Sequence, residues 1–201
     1  MTKRLSDYTT LTFDCYGTLI DWESGIWDAL QPLIAASGRD DITRAEALVS
    51  FARFESARQA QTPEMLYPEI LTHLHGDLAR HYDIATTSDM NAAFGASIDQ
   101  WPAFPDTADA LRRLKQRYRL VILSNVNRAG FAASNRKLGV AFDAIYTAED
   151  VGSYKPNRRN FDYLLEHLAA EHRVAPGEIL HTAQSLFHDH VPATRAGLAK
   201  A

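Results

Sequence analysis

Four short apolar runs, each ending on a polar residue, constrain this chain more than any other feature. Residues 9–13 (Thr-Thr-Leu-Thr-Phe) are β-branched and aromatic and deliver Asp14. Residues 119–123 end on Ser124 and Asn125, and Ala144–Thr147 and Ile179–Thr182 complete the set. The last three runs are separated by helical patterns at 128–138 and 158–170, and another helix carrying Leu111 and Leu114 precedes them. Strands joined one at a time by helices make parallel pairs, so the expected class is α/β with a doubly wound parallel sheet. Such sheets gather their ligands beyond the carboxyl ends of the strands, which is where Asp14 falls.

The alternation is interrupted after the first run. A helical stretch over 24–37 is closed by Gly38, and Thr43-Arg44-Ala45-Glu46 is a capping box opening the next. Its apolar positions Leu48, Phe51, Phe54 and Ala57 keep helical spacing. Thr62-Pro63 opens a third helix, with proline at its first position. Ser88-Asp89-Met90 opens a fourth that runs toward Trp101-Pro102. Residues 1–20 and 101–201 therefore read as the α/β core, and 21–100 as a helical cap inserted into it.

Composition excludes several classes. The formal net charge is −4 with both signs mixed, and no basic stripe exists for nucleic acid. No run approaches the roughly 20 apolar residues of a membrane helix, and the start Met1-Thr2-Lys3-Arg4-Leu5-Ser6-Asp7 lacks the apolar run of a signal peptide. A single cysteine, Cys15, rules out an intrachain disulfide framework and fits a reducing cytoplasm. A homodimer is compatible with these features and is not fixed by them.

Asp14 is the residue with most chemical promise. A carboxylate held rigidly at a strand end, with Gly17 allowing a sharp or left-handed turn just after it, can attack an electrophile and form a covalent ester. The bland reading is an aspartate capping a turn, and three further polar stations in order weigh against it. Ser124 and Asn125 could bind a carboxylate, phosphate or oxyanion, or merely open the following helix with Asn127.

The chain resembles the haloacid dehalogenase superfamily. The residues that carry the likeness are Asp14, Gly17, Thr18 and Leu19, the strand end at Ser124, Lys155 before Pro156, and the loop Gln184-Ser185-Leu186-Phe187-His188-Asp189. Within that superfamily Asp14-Cys15-Tyr16-Gly17-Thr18-Leu19 is similar to the 2-haloacid dehalogenase (type II) branch. The resemblance implies a Rossmann-like core, Asp14 as nucleophile, Lys155 keeping it ionised, and Asp189 orienting Lys155 or the hydrolytic water. Thr18 is expected to support the Asp14 loop.

Tyr16 separates two chemistries. Phosphatases of the superfamily carry a second aspartate there to protonate the leaving alcohol, whereas a phenol with a pKa of about 10 is a poor proton shuttle near neutrality. A halide needs no proton. Gln184 likewise stands where metal-dependent relatives have an acid, so no cofactor is expected, although Asp14 and Asp189 could still hold Mg²⁺ with fewer charges than usual. The implied partner is a small halogenated carboxylate bound by Ser124, Asn125 and an arginine of the cap, with Arg39 the first candidate and Arg44, Arg53 and Arg58 behind it. Trp22 follows the first motif closely enough to line the entrance, though cap core is the commoner role for such a residue.

The likeness has departures. Leu186 stands where characterised relatives often have asparagine, and Phe161 where they have tyrosine. His181, His188 and His190 surround the fourth motif, but sequence shows no convergence on a metal, and a structural or solvent-facing role is the expectation for each. Relatives continue past Ala201 with one more strand and a helix, so the resemblance implies either a truncated chain or a missing sheet edge. The leading reading is a hydrolytic dehalogenase that converts a short 2-haloalkanoic acid to the 2-hydroxy acid. A Mg²⁺-dependent phosphatase and a non-catalytic binding member are the alternatives.

Overall fold

In the computed structural model, which describes residues 3–201, a five-stranded sheet forms with every strand parallel and the order β3-β2-β1-β4-β5. Strand β1, Thr10–Phe13, is buried along its whole length and lies at the centre. After it the chain enters a helical unit, Asp21–Pro102, and then returns to the α/β unit, which comprises the residues up to Ile20 and Ala103–Ala201.

The helical unit holds α1 (Trp22–Ser37), α2 (Arg44–Gln61), α3 (Tyr67–His81) and α4 (Ser88–Gly95). Asp21 caps α1 by accepting from Ser24 N at 3.0 Å, and Gly38 ends it with φ 67°, a left-handed value that only glycine adopts without cost. The Thr43–Glu46 capping box opens α2. Thr62-Pro63 does not open a helix: Thr62 closes α2, its hydroxyl donating back to the Arg58 carbonyl at 2.9 Å. The proline at the start of α3 is Pro68 instead. A 3₁₀ turn, Ser97–Gln100, follows α4. Trp101 and Pro102 group with the helical unit rather than the core, because the Trp101 ring is wholly buried under α1. A Cβ at Gly25 would overlap that ring, so α1 comes close only because position 25 has no side chain.

In the α/β unit, α5 (Thr107–Lys115) leads to β2 (Arg119–Ser124) and α6 (Arg128–Leu138) to β3 (Ala144–Thr147). A single turn, α7 (Ala148–Val151), precedes α8 (Arg158–His172), which leads to β4 (Ile179–Thr182). Phe161, Leu164 and Leu168 of α8 recur at helical spacing and pack on Val121, Leu123 and Ile179 of the sheet. A π-helical turn, Leu186–His190, runs into α9 (Val191–Arg195), and β5 (Ala199–Lys200) then pairs with β4. A short strand therefore lies at this edge of the sheet, which removes the missing edge from the two alternatives the resemblance implied. No described helix is long and apolar enough to cross a membrane.

Candidate active site

Register brings the polar stations together. Phe13 pairs with Ile122 on one side and Thr182 on the other, so β1, β2 and β4 end at one level. Asp14 follows immediately, and its backbone N donates to the Thr182 carbonyl at 3.2 Å. Gly17 then takes φ 95°, and the loop folds back as the amides of Leu19 and Ile20 donate to the Cys15 carbonyl at 2.7 and 2.9 Å. The loop thus presents the Asp14 carboxylate at the carboxyl edge of the sheet while burying it.

Lys155 is no surface lysine: its side chain is 1% exposed. Its ammonium donates to Asp14 Oδ1 at 2.9 Å, Asp189 Oδ1 at 2.6 Å and the Leu123 carbonyl at 2.9 Å, which uses all three of its protons. Asn125 holds the backbone of this lysine. Its Oδ1 accepts from Lys155 N at 2.7 Å and its Nδ2 donates to the Lys155 carbonyl at 2.9 Å. Asn125 is therefore a clasp on the lysine loop. Ser124, also buried, has a hydroxyl with no hydrogen-bond partner, an arrangement that costs stability unless something else satisfies it.

The Thr18 hydroxyl donates to Asp14 Oδ2 at 3.1 Å and accepts from Gln184 N at 3.1 Å. One threonine thereby ties the first motif to the fourth. The Tyr16 hydroxyl lies 3.0 Å from Ser134 Oγ on α6, and burial, with the neighbouring negative groups, pushes the phenol well above its ordinary range. Tyr16 is thus tied into the core as a hydroxyl that keeps its proton.

The charges are unequal. Burial raises the Asp14 carboxyl above its ordinary 3.8, with Lys155 opposing and the negative charge of Asp189 adding. Burial acts on Asp189 in the same direction, but Lys155 and His181 outweigh it and hold that carboxyl down at about 2. Burial works against the Lys155 cation, and the two carboxylates more than compensate, so its pKa is raised. One cation between two anions stabilises the better-bonded one more, which is Asp189.

Asp189 owes its place to the π turn. His190 N donates to the Ser185 carbonyl five residues back at 3.1 Å, and this wider turn buries Asp189 while Leu186 and Phe187 stay 70% and 60% exposed. His181 is wholly buried, which fits the structural half of the structural-or-solvent-facing expectation and excludes the solvent-facing half. Its Nε2 lies 3.0 Å from Asp189 Oδ1 and its Nδ1 2.8 Å from Thr12 Oγ1, with the ring edge-on to Phe161 at 5.2 Å. The signal for it was legible: His181 lies two residues after Ile179 on one strand, hence on the same buried face. His188 contacts Ser185 Oγ at 3.2 Å, and burial together with Lys155 lowers its pKa.

Arg39 and Trp22 belong to the helical unit. The Arg39 guanidinium is paired with Asp41 and donates to the Tyr82 carbonyl at 2.7 Å, so each of its nitrogens already has an acceptor there. Trp22 packs on Phe51 with ring centroids 5.7 Å apart.

The residues fit Mg²⁺ poorly. Asp14 and Asp189 already share the Lys155 cation, and Gln184 at the remaining acidic position is neutral and exposed. No cluster of three His, Cys, Asp or Glu side chains suited to a metal occurs among the described residues.

Residues 8–181 match the family model of the haloacid dehalogenase-like hydrolases, and the chain belongs to that family of enzymes. A curated relative is (S)-2-haloacid dehalogenase 4A of Burkholderia cepacia, 27% identical over 181 residues, a match covering 83% of this chain and 71% of the relative. Among solved structures, the chain is similar to L-2-haloacid dehalogenase from Xanthobacter autotrophicus with chloropropionic acid covalently bound. There the identity is 18% and the TM-score 0.78, with 96% of this chain and 76% of that chain covered. The HAD-hydrolase YfnB from Bacillus subtilis bound to magnesium is equally similar in fold, with 21% identity, a TM-score of 0.78, and 96% and 87% coverage. At such identities the structural likeness establishes the fold.

Proposed function

We propose that this hydrolase is a dehalogenase acting on a short 2-haloalkanoic acid through an ester on Asp14. The observation that carries the reading is the buried Asp14 carboxylate held 2.9 Å from a Lys155 ammonium whose other two protons are also engaged. In the first step an Asp14 oxygen attacks the carbon bearing the halogen, that bond forms, and the halide leaves with the bonding pair. In the second step water adds to the ester carbonyl carbon and the acyl carbon–oxygen bond breaks. One water proton leaves on the hydroxy acid and the other is released as Asp14 returns to its carboxylate.

Several features support this scheme over phosphate ester hydrolysis. The position two residues after the nucleophile is a phenol tied to Ser134, which leaves no acid there for an alcohol leaving group. The metal donor set is incomplete at Gln184. The named curated relative is a 2-haloacid dehalogenase. Under the proposal Asp14, Lys155 and Asp189 are the catalytic residues, the free Ser124 hydroxyl contacts the substrate carboxylate, and the helical unit, Asp21–Pro102, is the cap domain. Arg39 would have to leave Asp41 to serve as the carboxylate ligand.

The deciding assay measures halide release from 2-chloropropionate or chloroacetate alongside phosphate release from a phosphate monoester with Mg²⁺. Halide release without added metal is the expected result. Phosphate release that needs Mg²⁺, with no halide from either acid, would sink the dehalogenase reading.

A further inference from the structure

Asp189 uses its two oxygens very differently. Lys155 Nζ at 2.6 Å and His181 Nε2 at 3.0 Å both meet Oδ1, whereas Oδ2, equally buried, has no partner. A carboxylate with both donors on one oxygen and none on the other is held in a single orientation, at the cost of leaving a buried acceptor unsatisfied. Lys155 alone cannot impose that orientation. Its ammonium is shared with Asp14 and Leu123, and a single N–H to one carboxylate oxygen leaves the carboxylate free to turn about that bond.

His181 supplies the rigid element. It is wholly buried on β4, its ring is fixed edge-on against Phe161, and its far nitrogen is engaged by Thr12 Oγ1 at 2.8 Å from the neighbouring β1. The ionised carboxylate can only accept, so the nitrogen facing it carries the proton. The Thr12 hydroxyl, buried as well, then finds its acceptor in Nδ1. The chain Thr12–His181–Asp189–Lys155–Asp14 crosses from the sheet interior to the proposed nucleophile through groups that are all buried.

We propose that His181 is a positioning residue. Its Nε2–H, backed by Thr12, locks Asp189 with Oδ1 on Lys155, so that Oδ2 is the oxygen left to orient the water that opens the Asp14 ester. This rests on the aspartyl-ester reading and names the group that governs its second half. The role is specific to hydrolysis. The first half needs only ionised Asp14, whereas the second needs a water aligned on the ester carbonyl, and misplacing a reacting group by about 1 Å can cost about 10²-fold.

The test separates the halves by rapid quench and intact-protein mass spectrometry with 2-chloropropionate, on wild type, H181F, H181Q and T12V. H181F keeps a ring against Phe161 and cannot donate. It is expected to give a burst of halide equal to the enzyme present, then ester hydrolysis slowed about 10²-fold, so that the Asp14 ester accumulates. H181Q, whose amide can donate to Oδ1, should restore most of the hydrolysis rate. T12V should slow hydrolysis less than H181F does. A folded H181F that clears the ester at the wild-type rate, or that loses both halves equally, overturns the proposal.

Should H181F fail to fold, nitrogen-15 NMR of the histidine rings in the wild type decides without substrate. A slowly exchanging proton on His181 Nε2 is expected, and a ring with that nitrogen unprotonated overturns the assignment. A wild type that forms no ester on Asp14 defeats the functional reading and the water role of Asp189 with it. The ring-proton signal would still report separately on the His181–Asp189 bond.

Discussion

The Lys155 ammonium joins Asp14 to Asp189, bonding Oδ1 of each at 2.9 and 2.6 Å in a space almost closed to solvent. Replacing it by methionine keeps the bulk and removes the charge. Two buried carboxylates would then face each other without a cation, a change that typically costs about 3–5 kcal/mol. Chemical denaturation should show K155M destabilised by about that much, and halide release should be nearly abolished as Asp14 becomes easier to protonate. A variant with wild-type stability and more than half the wild-type rate would remove Lys155 from the site.

Asp14→Asn should fold normally and lose turnover, because a neutral amide is a far weaker nucleophile than a carboxylate. Covalent catalysis also leaves an isotopic record. After one turnover in ¹⁸O-water the solvent oxygen should sit in Asp14, raising the mass of the peptide around Phe13 to Leu19 by about two units. Label in the hydroxy acid after that first turnover would mean direct attack by water.

The acid limb of activity should follow Asp14. Its carboxyl is raised above 3.8, chiefly by burial, and the reaction needs it ionised, so kcat/KM should begin to fall on acidification at a pH above 3.8. Stability runs differently for the two carboxyls. Asp189, lowered to about 2, contributes stability that is present above pH 3.8 and lost as the pH falls through about 2. Asp14, raised, contributes stability that is present below 3.8 and lost as the pH rises through its folded value. A pH series of kcat/KM with circular dichroism checks this, and a limb centred below 3.8 in folded protein would contradict it.

Dialysis against a strong chelator should leave halide release intact. Gln184 contributes no charge to a cation, and the Lys155 ammonium already occupies one oxygen of each of the two carboxylates. Loss of activity restored by Mg²⁺ alone would refute this.

Gly25→Ala should destabilise the helical unit by about 1–3 kcal/mol, since the added methyl overlaps the buried Trp101 ring. Thermal or urea unfolding checks it. Trp101 fluorescence offers a local probe of the same contact, and an unchanged midpoint would show that the ring can retreat.

Much of the α/β unit was legible because its signals are local. Ala144–Thr147, Ile179–Thr182 and Arg128–Leu138 were readable to the residue from apolar runs and the turn residues that bound them. Thr62 was misread because threonine before proline satisfies a helix start on paper, whereas the Arg58 carbonyl, four residues back, took its hydroxyl. At the site, Asp14 and Lys155 were recoverable from motif order. The tasks of Asn125 and His181 were not, since each depends on a partner from another strand or loop: the Lys155 backbone for one, Asp189 and Thr12 for the other. The π turn that buries Asp189 rests on a bond spanning five residues, a period that no apolar pattern in Leu186–His190 announces.

An ammonium whose three protons point at Asp14, Asp189 and the Leu123 carbonyl is a fixed charge and no longer a proton source. The Tyr16 phenol, raised and tied to Ser134, is a reluctant one. A departing group would therefore leave on its own basicity. Weak bases such as halides pass such a filter, alkoxides do not, and selectivity among electrophiles would then be written in what the site withholds as much as in what it binds.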